Sequence, residues 1–228
     1  MSATKPFYEQ LLEQTEFDKQ YFLSAPIIGD VLMGNFDLNT YIAFLNQAFH
    51  HVKHTVSLLS SAQENLRDDQ HWMSNTLSEY MAEEQGHEEW ILDDIQACGF
   101  DRMSFANGPA PSSTQAMISY LYDYISVHNA FGVFGMVLVL EGTSSSLASE
   151  VAKIVQKELS LPDTAMTYLT THGELDQDHI SYFEQAMNRV TNLDDQAAII
   201  EVANRMYRLY GDVYRDIPNE ALLIARVA

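Results

Sequence analysis

A chain of 228 residues can bury one sizeable core, and no Pro/Gly/Ser-rich stretch divides it into comparable halves, so one domain over 1–228 is expected. Its 12 basic residues face 32 acidic ones, and a formal charge of −20 repels phosphate backbones and anionic bilayers, which excludes nucleic acid and membrane as expected partners. The one cysteine, Cys98, rules out an intrachain disulfide and thiolate metal clusters and suits a reducing compartment.

Met1 to Tyr8 shows no basic segment leading into an apolar one, and the run Ala130 to Leu140 is too short to span a bilayer, so a cytoplasmic location is expected. Apolar residues recur at three- and four-residue spacing almost throughout, which predicts an all-α chain of seven helices. The first runs from Pro6 to Leu23, and a short second follows Pro26 and ends before Gly34 and Asn35. The third starts at the cap candidates Asn39 and Thr40 and carries Tyr41, Phe44, Leu45, Phe49, Val52, Val56 and Leu59. The fourth spans Asp68 to Cys98, with Gly99 where a helix C-terminus favours glycine. A loop with Gly108, Pro109 and Pro111 follows. Helix five runs from Ser113 towards Ser146 with a break near His128 and Asn129, and Gly132, Gly135 and Gly142 in its second part predict close backbone approach or local distortion. Helix six starts at Pro162 and reaches Val190, and helix seven covers Asp194 to Tyr214. The tail 218–228 holds Leu222, Leu223, Ile224 and Val227, apolar residues suited to docking on the body or on another subunit.

Three helices distant in sequence offer metal donors. In His172-Gly-Glu-Leu-Asp176-Gln-Asp-His179, positions i, i+4 and i+7 lie within about 60° on one helical face, so two imidazoles and a carboxylate point the same way. Glu84-Gln-Gly-His87 is the Glu-x-x-His pairing that di-metal carboxylate bundles project into their cores. Glu141 closes the apolar run from Val133 to Leu140, where a carboxylate is costly to desolvate without a cation, a donor or a metal. By itself each motif also describes a solvated acidic face or a buried Glu–Arg pair. Together they supply three carboxylates and three imidazoles, a donor count that matches a two-metal site; nitrogen and oxygen donors without sulfur suit iron, manganese or zinc.

His50, His51 and His54 form a second histidine group. His50 and His54 share a face at i, i+4, and they are read as core or cavity-lining residues, or as partners behind the metal ligands. Cys98, beside Gly99, reads as a small packed residue.

The segments Glu-Glu-Gln-Gly-His at 83–87, Leu-Glu-Gly-Thr at 140–143 and His-Gly-Glu-Leu-Asp-Gln-Asp-His at 172–179 resemble the haem-oxygenase-like di-iron oxidases and oxygenases, within the wider TENA/THI-4 and PqqC-like superfamily. The resemblance extends from about Pro6 to Arg215 and implies an all-α haem-oxygenase-like bundle. It makes Glu141 the bridging carboxylate between two iron ions, with Glu84 and His87 on one side and His172, Asp176 and His179 supplying the rest; manganese or a mixed pair satisfies the same donors. It implies O2 as co-substrate and a small molecule held beside Phe131, Phe134 and Met136, and a homodimer. Several members space the first Glu and His seven residues apart, a position Tyr80 fills here, so Glu84 or the adjacent Glu83 must serve through the shorter spacing. Two alternatives stand beside this reading: a metal-independent enzyme of the TENA or PqqC type, and a non-catalytic helical binding protein of the same fold.

Overall fold

The computed structural model of the chain describes residues 5–226, leaving aside the side chains of 173–178. Its helices are α1 (Phe7–Leu23), α2 (Pro26–Leu32), α3 (Leu38–Val52), α4 (Thr55–Glu64), α5 (Ser74–Glu84), α6 (His87–Ala97), α7 (Arg102–Ala106), α8 (Ser112–Val127), α9 (Val133–Leu159), α10 (Thr167–Met187) and α11 (Leu193–Ile224), with three short 3-10 turns between them. This is the expected all-α architecture, cut into more pieces than the seven expected.

The cuts have local causes. The third expected helix is interrupted at Lys53 and His54, and Asp37 caps its start, its carboxylate accepting the Thr40 amide at 2.9 Å in place of the expected Asn39 or Thr40. The fourth begins as a 3-10 turn, Asp68–Met73, and divides at Gly86, whose φ of +89° lies in the left-handed region that favours glycine. Gly99 ends α6 with φ +90°, as a helix C-terminus prefers.

The core forms where α9 and α11 cross. Val133, Phe134, Val139, Ile199, Val202 and Met206 are fully or nearly fully buried there. Gly135 permits the approach: a Cβ on it would lie 2.6 Å from the Ala203 amide nitrogen and 2.7 Å from the Ile199 carbonyl oxygen. Gly132 is equally confined, by Tyr124 and Val202, whereas Gly142 meets nothing within 4 Å. The segment Ala130–Leu159 is long and apolar enough to cross a membrane, but 67% of that window is buried inside the protein, which is how a core helix behaves.

The expected C-terminal tail is the end of a helix. Pro218 removes an amide from the α11 ladder, yet Ile217 and Ala221 are buried against Ala25, Ile27 and Ala43, so tertiary packing carries the helix on to Ile224. Leu222 and Leu223 remain exposed.

One buried carboxylate aims α10. Asp94 on α6 accepts the Thr167 amide at 3.0 Å and the Tyr168 amide at 2.9 Å, satisfying the first turn of the helix that carries His172 and His179. Burial pushes its carboxyl up to about 6, against the pull of those two amides. Because the folded value lies above the ordinary one, folding takes up a proton between about pH 4 and pH 6, and this contribution to stability declines as pH rises through that window. The unfolding free energy of wild type minus that of Asp94→Asn is therefore expected to fall from pH 4 to pH 6 and level off above; urea titrations giving a flat difference would contradict the assignment.

Candidate metal centre

The division at Gly86 sets the first pair of donors. Glu84 is the last residue of α5 and His87 the first of α6, so they face each other across a helix junction rather than one turn apart on a continuous helix. Glu84 Oε2 lies 3.4 Å from His87 Nδ1, too poorly aligned for a hydrogen bond, and that buried nitrogen has no hydrogen-bond partner. His172 of α10 completes a cluster in which one donor atom from each of Glu84, His87 and His172 lies within 4.8 Å of the others. The His87 ring is fixed by stacking on Trp90 at 4.0 Å and by edge contact with His172 at 4.8 Å.

His172 is oriented through its Nδ1, which lies 3.1 Å from the Tyr168 carbonyl oxygen. A proton on Nδ1 donated to that carbonyl leaves Nε2 as the donor nitrogen, the arrangement by which a backbone acceptor selects the tautomer of a metal-binding imidazole. Burial disfavours ionisation of Glu84, but His87, His172 and His179 together outweigh it and hold its carboxyl below the ordinary value.

Glu141 on α9 faces the same cavity from the other side, and its Oε1 lies 3.8 Å from His179 Nδ1. Both side chains are 13% exposed. The opposite nitrogen of His179 meets Glu83 Oε2 at 3.2 Å. Glu83 is exposed, whereas Glu84 borders the cavity and joins the histidines, so of the two adjacent acids it is Glu84 that faces the cluster. The Asp176 side chain lies outside the described residues.

The cavity, about 140 Å³, extends from Glu84, Glu141 and His172 between α2, α3, α9 and α11, and its lining includes no Lys or Arg. Its walls differ from those expected. Met136 borders it, but Phe131 and Phe134 lie in the core behind, packed on each other and, for Phe131, on Trp72. His50 and His54 are likewise away from it: His50 Nδ1 pairs with the Lys53 amine at 2.9 Å, and His54 Nδ1 meets the Tyr122 hydroxyl at 3.2 Å. The residue between them, His51, is the one that lines the cavity, because one step along a helix turns the side chain by about 100°. Cys98 lies outside the cavity lining, and burial together with Asp94 pushes its thiol up to about 11, which keeps it protonated and a poor nucleophile.

The donor set fits a metal: a buried imidazole nitrogen without a partner, a carboxylate held ionised among imidazoles, and no basic side chain in the lining to neutralise it. Comparison with known proteins agrees in class. The profile of a family of iron-containing redox enzymes, of the haem-oxygenase-like type, matches residues 42–211, and the chain belongs to that family. Among solved structures it is similar to a domain of unknown function with a haem-oxygenase-like fold from Shewanella denitrificans, at 21% identity and a TM-score of 0.86 over 100% of this chain and 97% of the other. A TenA homologue from Pseudomonas syringae matches at 11% identity and TM-score 0.79, covering 96% and 95% of the two chains. Haem oxygenase-1 from the cyanobacterium Synechocystis, in complex with haem, matches at 13% and 0.75, covering 98% and 97%. No curated protein matches the sequence significantly.

Proposed function

We propose that this protein is a non-haem two-metal oxidase or oxygenase that uses O2 on a small, largely apolar substrate. The observation that carries the reading is the convergence of Glu84, His87 and His172 within 4.8 Å at one end of an apolar cavity, with Glu141 and His179 alongside. Those residues, with Asp176 from the same face of α10, would hold two iron ions; manganese or a mixed pair suits the same donors. When bound, such a pair supplies the electrons that reduce O2, chemistry no side chain here can perform.

The protein's own share is geometry and dielectric. Asp94 fixes where α10 begins, and the Tyr168 carbonyl fixes the proton on His172 Nδ1. Stacking on Trp90 holds His87, while aliphatic and aromatic walls exclude water from the donor end. A lining without Lys or Arg offers a substrate carboxylate no cationic partner away from the donors, only hydroxyls such as those of Thr40, Tyr41 and Thr55. Haem is the other iron cofactor bound within this fold. Its macrocycle does not suit a cavity of about 140 Å³, and residues 5–30 contain no histidine to serve as an axial ligand.

Anaerobic titration with ferrous ion tests the reading. About two equivalents bound per chain are expected, followed by O2 uptake when the loaded protein meets air. Protein that binds no iron and consumes no O2 would move the assignment to a metal-independent enzyme or a binding protein.

A further inference from the structure

One buried imidazole beside the cluster has no task in the scheme above. His51, near the C-terminal end of α3, is 5% exposed and borders the same cavity as Glu84, Glu141 and His172. Its Nδ1 is buried without a hydrogen-bond partner, which is uncommon for a polar atom inside a folded protein. Glu84 and His172 are the cluster members that act on it electrostatically; His50 and His54 are its other charged-group neighbours. Tyr210 of α11 holds the ring edge-on, with centroids 5.7 Å apart and planes at 87°. A side chain held between two helices, bordering a cavity and with one ring nitrogen unpartnered is placed to receive something there.

We infer that His51 is a further nitrogen donor of the metal centre, approaching it from the α3 side of the cavity that Glu84 and His172 also line. The inference rests on the two-metal reading. It adds a ligand from a fifth helix, α3, and raises the imidazoles at the centre from three to four. His50 also has a buried nitrogen without a hydrogen-bond partner, its Nε2, but it does not border the cavity, and its Nδ1 is engaged by Lys53.

Cobalt(II) titration of the full chain, followed by its visible d–d bands, provides the test. Wild type and His50→Ala are expected to bind cobalt alike. His51→Ala is expected to weaken binding by at least about tenfold and to shift the d–d bands, the smallest loss seen even for residues that only orient ligands. In His51→Gly, added imidazole is expected to restore both. Folded His51 variants with wild-type affinity and spectrum would overturn the inference while leaving the two-metal reading standing. Wild type that binds no cobalt would overturn both. Should the variants fail to fold, a crystal structure of cobalt-loaded wild type decides: a His51 nitrogen about 2.1 Å from the ion supports the assignment, and one beyond bonding distance refutes it.

Discussion

Protein carrying Glu141→Ala is expected to lose stoichiometric iron. Glu141 follows the apolar run on α9, is only 13% exposed and lies 3.8 Å from His179 Nδ1. A carboxylate in such surroundings is costly to desolvate, and a bound cation offsets that cost. With ions present, it is the anionic donor that faces the cavity opposite Glu84, and its loss removes charge that a divalent pair requires. Glu141→Gln keeps the shape and loses the charge, so it should lose iron to a similar extent, whereas Glu83→Gln, at an exposed position, should not. His179→Ala is expected to behave like Glu141→Ala in metal content. Full iron content in both single variants, measured by elemental analysis, would refute this role for the α9–α10 side of the site.

Gly135→Ala is expected to destabilise the fold by about 3 kcal/mol, at the upper end of the usual cost of overpacking. The new methyl would sit 2.6 Å from one backbone atom of α11 and 2.7 Å from another, and backbone cannot swing aside as a side-chain tip can. The two longest helices would have to part, opening the cavity wall that they share. Gly142→Ala on the same helix is the internal contrast: nothing lies within 4 Å, so the higher helix propensity of alanine should stabilise by about 0.5–1 kcal/mol. Urea unfolding curves for the pair test this directly. Equal effects at the two positions would mean that the α9–α11 approach is looser than described.

The sequence announced three glycines in one helix, and propensity alone could not say which of them mattered. Only the partner helix distinguishes Gly135 from Gly142, and the partner lies more than sixty residues away. The same limit explains the histidines. Spacing at i, i+4 places His50 and His54 on one face, but α3 ends at Val52, and of the three histidines it is His51 that borders the cavity. Nothing in the spacing singles it out, since α3 also buries Asn46, Gln47 and His50. The candidate donors were legible because each stands in a short sequence word: Glu84 with His87, Glu141 after its apolar run, His172 with His179. The cavity lining was not, because only the way the backbone turns them separates Phe131, in the 3-10 turn before α9, and Phe134 from Met136. Helix seven was underestimated for a related reason. Pro218 is a strong local stop, and only the burial of Ile217 and Ala221 overrides it.

The left-handed residue at position 86 bears on how the centre assembles in time. Glu84 and His87 terminate different helices, so an ion held by both acts as a clasp between α5 and α6, joined otherwise by a two-residue linker. On the two-metal reading, loading would be the last step of folding for that corner rather than the filling of a finished socket, with apoprotein and holoprotein differing in local opening rate more than in average shape. Amide exchange at the junction should slow on metal addition while the α9–α11 crossing exchanges as before.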